Sequence, residues 1–592
     1  MQQTLAKSLH DKLKYLVIGI VCAIILIVGR LVHLQIHLMD YLFTQSQKNF
    51  LRIEKVVPPR GNIVDCNGTL LVTNRPVINV YWQGTGKSKL DATDVALLDY
   101  LAIITNHPIN ADAINAIKQA ERLYKKILIA SDISFEQISK LEEQFPQHPN
   151  IKLANHFERF YPYGTYASHI LGYLSYINLE PTGSMGLEKL FEDTLKGQPG
   201  SLLRTINSLG RNLNEVEIKK ALAGQTIQTT LDIELQSIVE KIFPEHQSGA
   251  FIIMDPSNGS IVSLVSRPNF DPSLFLHPMS DEDWHELQDN RPFINRAFNA
   301  CYPPGSFFKL VSMSALLEHN FIAPDATIYC GGFSTFCDGQ YYCHKRTGHG
   351  HLSAMQALAQ SCNIPFFEAG KKIDINLLAS YAHTFGLGKK TNVMFTEKEG
   401  LIPTRQWKLK AKGERWWQGE TLSAAIGQSY ILVTPIQIAA MLCSIFTGYL
   451  AKPRILESEE IIKQPLNIKH STLAFLRKSM RWVVTQGTGR RVNRIKDIEI
   501  YAKTSTTQTS RFEKREMGKQ FMEHGWLGAY FRYKKTKPLT FVVILENVGS
   551  SQVATIVARD FLIEYKKLID ERIASGINQV ASNALEDDLD DN

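Results

Sequence analysis

The chain is poor in cysteine, with eight in 592 residues, so it lacks the cysteine density of a small disulfide-stapled domain. It also lacks the polar bias of a disordered protein, because 44% of its residues are hydrophobic and 21% are charged. The net charge of +7 is too small an excess, for this length, to predict a nucleic-acid partner. This length predicts several globular domains.

Long apolar runs are also scarce, and the single one lies near the N-terminus. Residues 15–36 can span a hydrocarbon core of about 30 Å at about 1.5 Å per residue, and Arg30 near one end can snorkel. Lysines at positions 7, 12 and 14 predict that residues 1–14 stay in the cytoplasm, with the bulk of the chain outside it. A cleaved signal peptide is the alternative, but no small-residue cleavage site follows the apolar run.

The first half of the remaining chain changes its periodicity twice. Residues 50–82 and 155–232 have the alternation and turn residues of short strands, whereas residues 90–150 have helical periodicity. We therefore predict a β-rich domain over residues 37–240, with a helical insertion at about 85–155.

The second domain is predicted over residues 241–575. A hairpin with a Ser-Asn-Gly turn follows Gly249, three strand patterns lie between residues 499 and 548, and a helix closes the domain at about 551–573. Helical stretches lie between these ends, which predicts an antiparallel sheet flanked by helices and assembled from both ends of the domain. The fold class is therefore α+β and multidomain. Residues 576–592 form an acidic tail that is predicted to be disordered.

A candidate nucleophile follows a rigid Tyr-Pro-Pro-Gly turn at residues 302–305. Ser306 and Lys309 begin a helical stretch, and a spacing of three places them on one face where they can hydrogen-bond. A serine hydroxyl is a weak nucleophile, and an adjacent neutral lysine can take its proton. A helix cap beside a surface lysine would give the same pattern.

Two further motifs follow in order, and they make the signal specific. Ser361 and Asn363 offer a hydroxyl for proton relay and an amide for a peptide carbonyl. Lys503 lies on a predicted strand, where it offers a cation for a carboxylate, and the strand's edge can pair with an extended peptide. The backbone amides of Ser306 and Thr506 are natural oxyanion donors.

With these motifs the chain resembles the class B penicillin-binding transpeptidases, and among them the elongation type. The motifs correspond in order to the family's Ser-x-x-Lys, Ser-x-Asn and Lys-Thr-Gly boxes, with Ser505 in place of the last glycine. Other family motifs are matched at residues 60–65, 159–162, 186–188, 197–200, 230–232 and 427–437. The elongation type is indicated by residues 403–408 and 417–421 and by a cysteine cluster. The resemblance implies a β-rich pedestal, or dimerisation, domain with a helical head, followed by a transpeptidase domain.

The resemblance also implies the residue roles. Ser306 would attack the D-Ala–D-Ala carbonyl of a peptidoglycan stem peptide, with Lys309 as its base. Ser361 and Lys503 would relay the proton, and Asn363 completes the catalytic set. The substrate carboxylate would be held by the strand that carries Lys503, Thr504, Ser505 and Thr506.

A neighbouring stem's amine would then resolve the acyl-enzyme, and a β-lactam would acylate the same serine. The implied location is the bacterial inner membrane, with the bulk of the chain in the periplasm. The implied partners are glycan derived from lipid II, a RodA-type SEDS glycosyltransferase and an MreC-type scaffold.

Soft metal ligands crowd between the first two motifs, at Cys330, Cys337, Cys343, His344, His349 and His351, and Cys362 follows. Four such ligands can hold zinc tetrahedrally. The resemblance selects Cys330, Cys343, His349 and Cys362, and it implies a structural zinc that braces the loop of the second motif. A disulfide among the first three cysteines, or free thiols, are the alternatives.

Ser505 departs from the family pattern, which has glycine at this position so that substrate can approach the strand closely. Its side chain either points away or narrows the cleft. Three other functions stay open: a division-type class B transpeptidase, a β-lactam sensor or hydrolase, and a non-catalytic scaffold that activates a glycosyltransferase. Only Ser505 favours the scaffold.

Overall fold

The structure is a computed structural model that describes residues 2–106, 109–177, 180–206, 212–276, 279, 281–289, 291–337, 339–508 and 518–575. The predicted acidic tail at 576–592 lies outside the described residues. Two compact units divide the chain. The first comprises Met1–Arg60, Asn74–Glu158 and Lys196–Gly224, and the second comprises Gly61–Thr73, Arg159–Leu195 and Gln225–Asn592.

Helices and strands are interspersed over the first 242 residues. The helices are α1 (Gln2–Val32), α2 (Met39–Phe50), α3 (Ala92–Thr105), α4 (Ala111–Arg122), α5 (Phe135–Gln144), α6 (Ser168–Leu171), α7 (Gly186–Leu190), α8 (Glu192–Leu195) and α9 (Ile233–Ile242). The strands are β1 (Leu51–Val56), β2 (Ile63–Val64), β3 (Leu70–Gln83), β4 (Lys126–Ala130), β5 (Ile151–Phe160), β6 (Leu174–Ile177), β7 (Glu180–Gly183), β8 (Gly200–Ile206), β9 (Asn212–Lys219) and β10 (Ile227–Gln228).

The N-terminal helix has the length and composition of a membrane span. Leu13–His37 contains 25 residues, and its most apolar stretch has a mean hydropathy of 2.7 with none of it buried. The predicted span, residues 15–36, falls inside it. Among the described residues no other helix meets both criteria.

The first unit contains a three-stranded antiparallel sheet in the order β1-β8-β9. Helices α3, α4 and α5 occupy the stretch predicted to be helical, and they surround a small core built on Trp82, Leu97 and Leu101. Strand β4 lies inside this stretch and pairs with the end of β3, a feature that helical periodicity did not predict.

In the second unit, two family motifs form local structures. The Asp65 carboxylate accepts hydrogen bonds from the amides of Asn67 and Thr69, at 2.9 and 2.7 Å, and so makes the turn before β3. Arg159 and Glu188 form a buried ion pair at 2.6 Å. These motif residues therefore have structural roles, in a turn and in a buried ion pair.

The rest of the second unit is built from the following elements. The strands are β11 (Gly249–Met254), β12 (Ile261–Arg267), β13 (Thr327–Cys330), β14 (Phe333–Phe336), β15 (Gly339–Tyr342), β16 (Gly350–Ser353), β17 (Tyr449–Ala451), β18 (Lys463–Pro465), β19 (Ile498–Thr507), β20 (His524–Tyr533) and β21 (Leu539–Leu545). The helices are α10 (Asp281–Asp289), α11 (Phe308–Glu318), α12 (Ala354–Ala359), α13 (Ile364–Gly370), α14 (Ile375–Thr384), α15 (Arg405–Lys412), α16 (Gln418–Ala424), α17 (Pro435–Thr447), α18 (His470–Thr485) and α19 (Ser551–Ala574).

A five-stranded antiparallel sheet in the order β12-β11-β21-β20-β19 organises this unit. The hairpin, the three later strands and the closing helix were all predicted. Every residue of β11 and β21 is buried because helices cover both faces. Ile252 and Ile544 pack in the core that contains α11 and α17, whereas Phe251 and Val543 pack in the core that contains α9 and α19. Strand β19 lies at one edge of the sheet.

Candidate active site

Ser306 lies in a short 3-10 turn, Gly305–Phe307, directly before α11. The sequence predicted it at the start of the helix, and the structure starts the α-helix two residues later. The turn is tied to the loop after α16, because the Gly305 amide donates to the Gly427 carbonyl at 3.0 Å. Gly305 has a φ of +53°, in the left-handed region that glycine favours. The main chain therefore fixes the position of Ser306.

Lys309 is 1% exposed on the first turn of α11. Its Nζ donates to the Ser361 carbonyl at 2.7 Å, to Ser361 Oγ at 3.2 Å and to Asn363 Oδ1 at 2.7 Å. The sequence pattern predicted a hydrogen bond between Ser306 and Lys309. The described hydrogen bonds instead run from each of them to Ser361.

Ser361 joins the other groups, in the segment between α12 and α13. Its Oγ lies 2.7 Å from Ser306 Oγ and 3.3 Å from Lys503 Nζ, in addition to its contact with Lys309. Asn363 uses both ends of its side-chain amide within the protein, because its Nδ2 donates to the Tyr342 carbonyl at 3.1 Å. The structure thus brings all five predicted catalytic residues together.

Both lysines are buried, and burial disfavours their charged forms. Burial lowers the pKa of Lys309 to about 8, although electrostatic interaction with Cys362 and Cys343 raises that pKa in part. It also lowers the pKa of Lys503 well below its usual value, and repulsion from Lys309 adds to the effect. A neutral lysine beside the Ser306–Ser361 pair is therefore accessible near neutral pH.

Side chains along β19 alternate between its two faces. Lys503 reaches Ser361, and Ser505 turns its hydroxyl toward the Ser306 turn. Thr504 Oγ1 instead lies 2.5 Å from Thr488 Oγ1, and Thr506 Oγ1 accepts a hydrogen bond from the backbone amide of Ser551, the first residue of α19. Of the three predicted substrate-binding side chains that follow the lysine, only that of Thr506 is exposed.

Sequence reasoning missed Thr488, which lies between two glycines just after α18. A Cβ on Gly487 would lie 2.2 Å from the Ala359 carbonyl oxygen, so this turn passes directly against the end of α12. A Gly-Thr-Gly turn after a long helix was the available signal. Its proximity to β19 depends on tertiary structure and could not be predicted from the turn.

Cys330, Cys343, His349 and Cys362 converge, with one ligand atom from each lying within 4.8 Å of all the others. His349 Nδ1 lies 3.5 Å from Cys330 Sγ and 3.6 Å from Cys343 Sγ, and Cys343 Sγ lies 3.8 Å from Cys362 Sγ. Tetrahedral zinc with ordinary bond lengths places sulfur pairs about 3.8 Å apart and sulfur–nitrogen pairs about 3.5–3.6 Å apart. The donor set therefore fits zinc in both chemistry and spacing.

Two thiols of the cluster, those of Cys343 and Cys362, differ in the direction of their pKa shifts. The hydrogen bond between the two sulfurs lowers the pKa of the Cys343 thiol and raises that of the Cys362 thiol. Burial also lowers the pKa of His349, which favours the neutral imidazole that metals bind. Cys337, the remaining cysteine of the predicted disulfide alternative, is an exposed free thiol outside the cluster.

Two family models match the chain. The one described as Penicillin binding protein transpeptidase domain matches residues 249–562, and the one described as Penicillin-binding Protein dimerisation domain matches residues 55–229.

Similar proteins match over nearly the whole chain. Peptidoglycan D,D-transpeptidase MrdA of Haemophilus influenzae is 29% identical over 578 residues, covering 90% of this chain and 88% of that protein. A chain from the complex between penicillin-binding protein PBP2 and MreC from Helicobacter pylori has a TM-score of 0.75 at 28% identity, covering 88% of this chain and 99% of that one. A chain of a peptidoglycan synthase complex, described as coordinating polymerization and crosslinking, has a TM-score of 0.71 at 28% identity, covering 93% and 97%.

The site predicts a pH dependence for acylation of Ser306. Below the pKa of Lys309, about 8, the amine holds a proton and cannot accept another. We expect the acylation rate to rise about tenfold per pH unit below that pKa and to level off above it. The groups that bear on this titration are Lys503, Cys343 and Cys362.

The measurement is the rate at which a fluorescent penicillin acylates the full chain between about pH 6 and about pH 9.5. This range brackets the pKa of a buried lysine. Intrinsic fluorescence at each pH serves as the control for folding. A rate that stays constant across this range would contradict a lysine base.

Proposed function

This chain belongs to the penicillin-binding protein transpeptidase family, and on that premise we propose that it is the peptidoglycan D,D-transpeptidase of cell elongation. The observation that carries this proposal is the hydrogen-bonded set of Ser306, Lys309, Ser361 and Lys503, inside the region that the transpeptidase model matches. The MrdA relative and the PBP2 structure, which match nearly the whole chain, support the elongation type.

Acylation begins with Ser306 Oγ. Lys309 in its neutral form takes the hydroxyl proton, directly or through Ser361 Oγ, as the oxygen attacks the carbonyl between the two D-alanines. The tetrahedral intermediate collapses, and its C–N bond breaks. The leaving D-alanine amine takes a proton back through Ser361, with Lys503 as the second donor to that hydroxyl. An acyl ester on Ser306 remains.

The side-chain amine of a neighbouring stem peptide then attacks the ester. The amine loses a proton to the same lysine–serine relay, and Ser306 leaves with a proton as the new peptide bond forms. The product is a cross-link between two stems. A β-lactam follows only the first half of this sequence, because its opened ring stays attached to Ser306.

We propose that the stem peptide docks alongside β19, the edge strand of the sheet. Thr506 is its exposed hydroxyl, so it is the group we propose for first contact with the substrate carboxylate. Lys503 lies buried behind the strand, where its Nζ donates to Ser361 Oγ and to the Thr504 carbonyl. Thr504 and Ser505 hold their hydroxyls in contacts within the protein.

The partners follow from similar proteins whose structures were solved as assemblies. We propose that this chain works with an MreC-type scaffold and a RodA-type glycosyltransferase, which supplies glycan made from lipid II. Work in such an assembly supports an inner-membrane protein that is anchored by residues 13–37, with its catalytic domain in the periplasm.

The nucleophile is tested by labelling the detergent-solubilised full chain with a fluorescent penicillin. Ser306→Ala removes the only atom that can form the ester, so we expect complete loss of label. The matched control is Ser458→Ala, at an exposed serine, and it should label like the wild type. Label that persists on Ser306→Ala would contradict the assignment.

We also propose that Cys330, Cys343, His349 and Cys362 hold a structural zinc. Three thiolates and one imidazole close the coordination shell, so the ion supplies a cross-link and leaves no position to activate water. Cys362 lies between Ser361 and Asn363, so the cross-link would hold the loop that positions both catalytic side chains.

The zinc site is tested by elemental analysis of purified protein. We expect about one zinc per chain, its loss in Cys343→Ser, and a lower thermal-unfolding midpoint in that variant because binding energy is coupled to folding. Cys337→Ser is the matched control and should keep the metal. Equal zinc content in both variants would contradict the assignment.

A further inference from the structure

The side chain of Ser505 inserts between β19 and the turn that carries the nucleophile. Its Oγ accepts a hydrogen bond from the Ser306 backbone amide at 2.8 Å and donates one to the Pro304 carbonyl at 2.9 Å. The residue is 2% exposed, so water does not compete for these contacts. A glycine, which the family pattern has here, could make neither of them.

The Ser306 amide is the group that acyl transfer would use. When a serine attacks a carbonyl, its own backbone N–H is placed to stabilise the oxyanion that forms. In this chain that N–H is already satisfied by an uncharged hydroxyl. A substrate carbonyl that approaches Ser306 must take the amide from Ser505, or else use one oxyanion donor fewer.

The surroundings restrict where the Ser505 hydroxyl can go. A Cβ placed on Gly305 would lie 2.4 Å from Ser505 Oγ and 2.6 Å from Thr507 Cγ2. The hydroxyl is therefore packed directly against the Gly305 backbone on one side. Its release from the amide requires rotation of the side chain or movement of the Ser306 turn away from β19.

We propose that Ser505 is a latch on the oxyanion hole, closed when its hydroxyl holds the Ser306 amide and open when the amide is free for substrate. This inference rests on the proposed function of Ser306. The latch lowers the rate of acylation without changing how the acyl donor first binds. Opening it costs one or both of these neutral hydrogen bonds, which corresponds to a rate lower by about fivefold to about 30-fold. If it stays closed during the reaction, one oxyanion donor is lost and the rate is lower by about 100-fold or more.

The test separates the hydroxyl from the bulk of the side chain. Ser505→Ala removes only the oxygen, and Ser505→Gly removes the Cβ as well. Stopped-flow labelling of the full chain with fluorescent penicillin gives the dissociation constant of the first complex and the acylation rate constant separately. The latch predicts that both variants raise the rate constant by about fivefold to about 100-fold, with the dissociation constant nearly unchanged.

Ser458→Ala is the control for substitution at a serine, and thermal unfolding shows whether each variant is folded. A gain in Ser505→Gly alone would overturn the latch, because it would assign the effect to the Cβ. An unchanged or lower rate in both variants would also overturn it while leaving the proposed function intact. Labelling of the two variants with none of the wild type would support both proposals. No labelling of any folded form would overturn the proposed function, and the latch with it.

Discussion

Three catalytic side chains contact one hydroxyl, that of Ser361. Ser306 Oγ, Lys309 Nζ and Lys503 Nζ lie 2.7, 3.2 and 3.3 Å from its oxygen. The two lysine nitrogens are thus at most about 6.5 Å apart, where two positive charges at an effective dielectric constant of about 20 repel by about 2–3 kcal/mol. Burial adds to this repulsion, so the site disfavours two ammonium groups and favours one neutral amine. Because charge repulsion and burial disfavour two ammonium groups, they leave a neutral amine that can take the proton of Ser306.

Much of this arrangement could be predicted from local sequence. The hairpin after Gly249, the strand that carries Lys503 and the closing helix follow from alternation, turn residues and apolar periodicity, which are properties of neighbouring residues. The order of the three motifs predicted which side chains would meet. The bridging position of Ser361, the partner of Thr504 and the direction of Ser505 could not be predicted, because each depends on how segments far apart in sequence pack. Strand β4 was missed because helical periodicity dominates on both sides of it.

The cysteine cluster and Ser505 each adjoin a different group of the active site. Cys362 lies inside the segment that carries Ser361 and Asn363, so a metal at the cluster would fix the groups that move the proton. Ser505 contacts the amide that would stabilise the oxyanion. The two features lie on different segments, because the cluster holds the segment between α12 and α13 and Ser505 lies on β19.

The most direct test of this account is the acylation rate after the Ser361 hydroxyl is removed. Ser361 has a φ of +53°, so Ser361→Gly suits the backbone better than alanine does and should remain folded. If this hydroxyl joins the lysines to Ser306, the rate of labelling by fluorescent penicillin should fall by about 100-fold or more, as for loss of a proton-transfer group. A folded Ser361→Gly protein that is acylated at the wild-type rate would contradict the account.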